Sequence, residues 1–111
     1  MKKKNYKGRC EKRILSKCKG VCKTYDSLQY KYSETLEQNE NIQSFECNVL
    51  LSDVEYTSDF VCKKLDGDIM VRECVLKNHL SKPMTIKLLD ISREYWLRRG
   101  VYDWGLVINE E

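Results

Sequence analysis

Asp59 and Glu73 are the residues best suited to chemistry, because each is an acid inside a segment that otherwise has the composition of a buried strand. Side chains alternate along a strand, so in "DIMVRECVL" Glu73 shares one largely apolar face with Val71 and Val75. A buried carboxylate without a partner costs several kcal/mol, so a cation is expected beside it. Mg²⁺ or Mn²⁺ suits this position, since Mg²⁺ is bound through one or two carboxylates, with water and phosphate oxygens completing its shell. We therefore predict a divalent-metal site at Asp59 and Glu73.

Nearby basic residues offer a second interpretation of the same two acids. Arg72, Lys63 or Lys64 could form ion pairs with them, or the acids could stand at an open edge of the sheet. The acid pair by itself therefore leaves both the metal site and the ion pair open.

Six cysteines raise the question of metal or disulfide chemistry. Reduced thiols are expected in an intracellular protein. Cys18 and Cys22 have a spacing that could begin a zinc site, but no second close pair follows and the single histidine, His79, is far along the chain. Structural zinc is therefore disfavoured. The remaining cysteines in apolar strand patterns are predicted to be small buried hydrophobic residues: Cys47, Cys62 and Cys74.

Charge is concentrated at the start of the chain. Residues 1–23 contain ten Lys or Arg and one acid, a net charge of +9, whereas the remainder has ten Lys or Arg and sixteen acids, a net charge of −6. A segment this basic is typical either of a phosphate-binding arm or of a solvated tail. We predict a basic N-terminal arm over residues 1–24 that binds nucleic acid, with a merely solubilising tail as the alternative.

No apolar run approaches the roughly 18 residues that a membrane span needs. The lysines that follow Met1 lead into polar sequence instead of the apolar core of a signal peptide. The expected location is therefore the cytoplasm, with no membrane partner.

Periodicity predicts the elements that must hold these residues. A short basic helix is predicted over Cys10–Lys19, and a second helix begins at Asp26 or Ser27. Three strands follow, "NIQSFECNVLL", "EYTSDFVCKKL" and "DIMVRECVL", and the last two are joined by an Asp-Gly hairpin turn. The acids Asp59 and Glu73 thus fall on the two strands of one hairpin.

A long helix is predicted from Pro83 to Gly100, followed by a short strand, "WGLVIN". Its apolar face is predicted to carry four residues: Met84, Leu88, Ile91 and Tyr95. A helix that crosses between two strands implies a right-handed, parallel connection. The predicted fold class is α/β, with a mixed sheet of about four strands flanked by helices.

Three segments carry a resemblance to a known family: "YTSDF", "DGD" and "KLLDISREYWLRRGVYDWGLVINEE". With the helix–strand–strand–strand–helix–strand order, they resemble the catalytic domain of the TnsA family, the endonuclease subunit of heteromeric bacterial transposases within the PD-(D/E)xK nuclease superfamily. The resemblance spans residues 25–111 and implies a restriction-endonuclease-like core over that range. The long helix is its most specific part.

In that family a helix acid, a strand acid and a Gln/Glu-x-Lys segment surround the metal. Asp59 matches the strand acid and Glu73 matches the first residue of the Gln/Glu-x-Lys segment. The helix acid falls on Gln29 and the lysine on Val75, so this chain departs from the pattern at both. The lysine of the family positions water and stabilises charge on the phosphate, which valine cannot do.

Other residues could supply the two groups that the pattern lacks. Lys77 or Lys87 could replace the lysine, and Gln29 could ligate through its amide oxygen. The Cys74 carbonyl could add a third metal ligand beside Asp59 and Glu73. Substitution for the helix acid by Glu34 or Glu37 would need a different rotation of the helix.

The resemblance implies a DNA-binding endonuclease of a mobile element, which hydrolyses phosphodiester bonds at transposon ends with Mg²⁺ or Mn²⁺. The alternative keeps the fold without the chemistry, as a catalytically degenerate subunit that binds DNA or a transposase partner. Val75 favours this alternative. The expected partners are DNA, a transposase subunit and a second copy of the chain in a homodimer. A third, unrelated possibility is a small α/β regulator.

Overall fold

The computed structural model describes residues 10–110. Two helices and six strands make up this range, together with a 3₁₀ turn at Lys77–His79. The elements in chain order are β1 (Glu11–Arg13), β2 (Cys22–Thr24), α1 (Ser27–Gln38), β3 (Ile42–Leu50), β4 (Thr57–Lys64), β5 (Ile69–Val75), α2 (Pro83–Arg98) and β6 (Asp103–Ile108).

A four-stranded mixed sheet in the order β3-β4-β5-β6 is the centre of the fold. The first three strands are antiparallel, and β6 lies parallel to β5 after the α2 crossover. The predicted α/β class, the four strands and the parallel last strand are confirmed. This topology puts β5, which carries Glu73, between β4 and β6.

Local signals explain where the main elements begin and turn. The Asp26 side chain caps α1 by accepting a hydrogen bond from the Gln29 amide at 2.8 Å. Gly67 turns the β4–β5 hairpin with φ +94°, a conformation that few residues other than glycine adopt. Pro83 stands in the first turn of α2, where its missing N–H costs little.

The hydrophobic core lies between α1 and one face of the sheet. Leu36 of α1, Phe45 of β3 and Phe60 of β4 are each at most 1 % exposed. Tyr32 meets Phe60 edge to face, with ring centroids 5.5 Å apart. Because β4 side chains alternate, Asp59 points to the opposite face of the sheet.

The helix predicted over Cys10–Lys19 is wrong. The segment instead forms β1 and a turn, and β1 pairs with β2 in a small antiparallel hairpin. Arg13 of this hairpin pairs with Glu34 of α1, and Cys22 is fully buried. Three-residue strands have too little periodicity to detect in the sequence, and here packing decides the conformation. Of the predicted arm, residues 1–9 lie outside the described residues.

Helix α2 has the predicted limits but a different buried stripe. Leu89 and Ser92 are its buried residues, whereas Met84 is 58 % exposed. Ser92 is a polar residue at the contact with the sheet, where its hydroxyl donates a hydrogen bond to Glu73. Within residues 10–110, no helix combines the length and apolarity that a membrane crossing requires.

Candidate active site

Asp59 and Glu73 meet where β4 and β5 cease to pair. The register between these strands runs from Lys63 opposite Ile69 to Phe60 opposite Arg72. Beyond that point the two acids connect the strands through their side chains. Both are buried, with 1 % exposure for Asp59 and none for Glu73. The sequence-based expectation that they lie close together is met by this geometry.

Each carboxylate accepts a hydrogen bond from the backbone of the other strand. The Asp59 amide donates to Glu73 Oε1 at 3.0 Å, and the Cys74 amide donates to Asp59 Oδ2 at 2.8 Å. Both lengths lie within the usual range for an N–H donor and an oxygen acceptor. The pair therefore acts as a reciprocal clamp that spans the opening between the strands.

Polar side chains of α2 and β6 cover Glu73. Ser92 donates from Oγ to Glu73 Oε2 at 2.7 Å, and Trp104 Nε1 donates to Ser92 Oγ at 3.0 Å. Tyr56 is buried beside the acids. Its own burial, followed by the charges of Glu73 and Asp59, raises the pKa of its phenol far above the ordinary value.

Two of the three basic residues that could have paired with Asp59 or Glu73 bind a different acid. Arg72 and Lys64 both bind Asp103, with nitrogen–oxygen distances of 2.8 and 2.7 Å, and Lys63 is exposed. Asp103 lies at the start of β6, opposite Met70. The two cations therefore tie β4 and β5 to β6 through Asp103.

The Asp103 network predicts a pH effect of known sign. The hydrogen bond from Lys64, followed by the one from Arg72, lowers the pKa of Asp103. A lowered folded-state pKa stabilises the protein above the unfolded value of about 3.9, and that stability is lost as the pH falls through the folded-state pKa.

Asp103→Asn should accordingly lower the free energy of unfolding at pH 7 by about 1 kcal/mol or less, because the site is partly solvated. The melting temperatures of wild type and variant should converge as the pH falls below the unfolded value of about 3.9. A difference that stays constant over that range would show that Asp103 acts through packing and not through its charge.

The proposed lysine substitutes lie at different places around the site. Val75 is buried, next to Ile108 in the parallel register of β5 and β6. Lys77 follows in the 3₁₀ turn, where it is exposed and its backbone amide binds Asn109 Oδ1 at 2.6 Å. Lys87 is exposed on α2 and lines a surface groove with Asp53. Their catalytic roles stay predictions.

The three residues of α1 considered for the position of the helix acid contact the β1–β2 hairpin or the segment just before α1. Gln29 is 4 % exposed, and its side-chain oxygen accepts from the Tyr25 amide at 2.9 Å. Glu34 pairs with Arg13, and Glu37 accepts the backbone amides of Ser16 and Lys17. Replacement of the helix acid by either glutamate is therefore not supported by the contacts of α1.

The acid pair has the donor chemistry that Mg²⁺ or Mn²⁺ requires. Both side chains offer hard carboxylate oxygens, and the backbone carbonyl of Cys74, predicted as a third ligand, is of the same kind. Hydrogen bonds from two amides and Ser92 hold these oxygens in fixed positions. The donor types suit a small divalent ion, but at least three of the four carboxylate oxygens already accept hydrogen bonds, and the two side chains are 1 % and 0 % exposed, so an ion would have to displace some of these bonds.

A second group of potential ligands was missed in the sequence. Cys47 of β3 lies 3.1 Å from Cys22 and 3.8 Å from Cys18, measured between sulfur atoms. The three sulfurs lie within 4.8 Å of one another. Cys47 was predicted to be a small buried hydrophobic residue, but it is half-buried, whereas Cys62 and Cys74 are buried as predicted. Its separation of 25 residues from Cys22 conceals the contact in the sequence. The close Cys18–Cys22 spacing was the available signal.

The three thiols differ in acidity. The hydrogen bond from Cys47 lowers the pKa of Cys22 to about 6 against its burial, with Ser33 and the charge of Arg13 adding to the effect. Donation to Cys22 raises the pKa of Cys47, and burial raises the pKa of Cys18 to about 11. Cys22 is therefore the most acidic of the three thiols.

The chain matches no protein-family model and no curated protein.

Proposed function

We propose that the chain is a DNA-binding, nuclease-fold subunit of the TnsA type, with a restriction-endonuclease-like core. In this proposal it hydrolyses phosphodiester bonds at the ends of a mobile element with Mg²⁺ or Mn²⁺. The observation that carries the proposal is the meeting of Asp59 and Glu73 at the point where β4 and β5 separate. A transposase subunit and a second copy of the chain are the proposed protein partners.

Asp59 and Glu73 would hold the ion, with the Cys74 carbonyl as the further candidate. Gln29 lies on α1, which packs on the opposite face of the sheet, so the structure does not support its predicted role as a ligand. A bound ion would supply Lewis-acid stabilisation of the phosphate and a water of lowered pKa. Ser92 orients Glu73, and Trp104 orients Ser92 in turn. Lys77 is the proposed cation beside the phosphate.

A nicking assay tests the hydrolytic activity directly. Supercoiled plasmid incubated with the full chain and Mn²⁺ should be converted to the open-circular form, and a chelator should stop the conversion. Asp59→Asn should abolish it, because the variant loses a charged ligand while keeping the side-chain volume. Asp68→Asn, at an exposed aspartate of the hairpin turn, is the matched control and should keep wild-type activity. Activity that survives Asp59→Asn would contradict the proposed site.

The second candidate function is a subunit of the same fold that binds DNA or a transposase without cutting. The favouring observation is the burial of Val75 at 6 % exposure, together with the near-complete burial of both acids. A protein of this kind would bind plasmid but leave it supercoiled under the same conditions. Val75→Lys should then produce weak metal-dependent nicking, because it returns a cation to the face of Glu73.

DNA affinity is proposed to depend on the basic start of the chain. Residues 10–24 contribute to the packed fold, so the informative deletion is residues 1–9, which contain five Lys or Arg. Each phosphate contact contributes a slope of about −0.9 to log K against log salt.

Deletion of residues 1–9 should therefore flatten the salt dependence of duplex binding by as much as about 4.5 in slope. Fluorescence anisotropy over a salt series measures this slope. A variant with the five cations replaced by glutamine should behave like the deletion. An unchanged slope would make the segment a solubilising tail.

A further inference from the structure

We propose that Cys18, Cys22 and Cys47 bind a thiophilic metal ion of the zinc class. The proposal is independent of the nuclease site, because the thiols lie on the hairpin and on the edge strand β3. It rests on the distances among three sulfur atoms that come from separate parts of the chain.

The sulfur positions suit a tetrahedral ion. Zn–S bonds of about 2.3 Å at tetrahedral angles place the sulfurs about 3.8 Å apart. Cys18 and Cys47 stand at 3.8 Å, while Cys22 and Cys47 stand at 3.1 Å and must separate by about 0.7 Å to share an ion.

Backbone contacts hold the sulfurs in place before any ion binds. The Lys19 amide donates to the Phe45 carbonyl, and the Phe45 amide donates to the Lys17 carbonyl, both at 2.9 Å. These bonds fix the turn that carries Cys18 against β3. Gly20, with φ +74°, allows the chain to reverse between Cys18 and Cys22. The site is therefore largely preformed.

The charge of the surroundings suits three thiolates. A divalent ion with three thiolates has a net charge of −1, and Arg13 is close enough for its charge to act on Cys22. Residues 1–9 contain no Cys, His, Asp or Glu, and no fourth such residue joins the three thiols among residues 10–110, so the fourth ligand would be water. An ion here would fasten the basic hairpin to the sheet.

Cobalt titration of the full, reduced chain tests the proposal. Co²⁺ should bind once per chain and give a thiolate-to-cobalt charge-transfer band with the visible bands of a tetrahedral site, and one equivalent of Zn²⁺ should remove them. Cys22→Ser and Cys47→Ser should each weaken binding by more than the 10- to 100-fold typical of losing an outer-shell partner. Cys10→Ser, at a half-buried cysteine outside the cluster, should keep the wild-type spectrum.

Two results would overturn the proposal. The first is a reduced wild-type chain that gives no charge-transfer band and shows no bound Zn²⁺ by native mass spectrometry. The second is a band that Cys10→Ser removes as fully as Cys22→Ser does. Circular dichroism of each metal-free variant shows whether Cys22→Ser and Cys47→Ser are folded. If either is unfolded, Cys18→Ser is tested in its place.

Discussion

Glu73→Ala should lower the free energy of unfolding by about 3 kcal/mol or more. The substitution removes the acceptor of the Asp59 amide and of the Ser92 hydroxyl, and an unsatisfied buried donor costs about 1–3 kcal/mol. The lost side-chain volume adds a cavity term, because Glu73 is fully buried. Chemical denaturation measures the change, with an expected fall in melting temperature of about 10 °C or more.

Glu46→Ala provides the matched control for this prediction. Glu46 is an exposed glutamate on β3, so its removal should change stability by no more than about 0.5 kcal/mol. Repulsion between the carboxylates of Asp59 and Glu73 opposes the loss expected for Glu73→Ala. If Glu73→Ala proved more stable than wild type, repulsion would outweigh the hydrogen bonds, and the acids would not act as a clamp between β4 and β5.

Mg²⁺ or Mn²⁺ should raise the melting temperature of the wild-type chain, and Asp59→Ala should abolish the rise. An ion that binds only the folded state at about 100 times its dissociation constant adds about 2.7 kcal/mol, or roughly 10 °C for a domain of this size. Binding also relieves the repulsion between the two carboxylates. Scanning calorimetry with increasing metal measures the shift.

Two control variants test whether the metal-induced rise in melting temperature depends on Asp59 and Glu73. Asp68→Asn should retain the full shift, because Asp68 is an exposed residue of the hairpin turn. Cys22→Ser should also retain the response to Mg²⁺, because Mg²⁺ prefers oxygen ligands to thiolates. A wild-type chain whose melting temperature is unmoved by either ion, with no anomalous Mn²⁺ density between Asp59 and Glu73 in a soaked crystal, would contradict the proposed metal site.

Local sequence determined most of the element positions in this protein. Asp26 caps α1, Gly67 turns the hairpin, and Pro83 begins α2, each through a backbone preference that acts within a few residues. The strand pattern around Asp59 and Glu73 predicted that the two acids face each other across one hairpin. These features can be predicted from the sequence because each depends on residues that are close together along the chain.

Tertiary structure alone decided the contacts that join distant segments. Residues 11–24 form a hairpin because burial against α1 and β3 stabilises strands too short to have a period of their own. Ser92 faces the sheet although it is polar, because its hydroxyl donates a hydrogen bond to the buried carboxylate of Glu73. Cys47 reaches Cys22 across 25 residues because β2 and β3 pack together in the fold. Hydrophobic periodicity carries no information on such pairings, since they depend on which elements pack together in space.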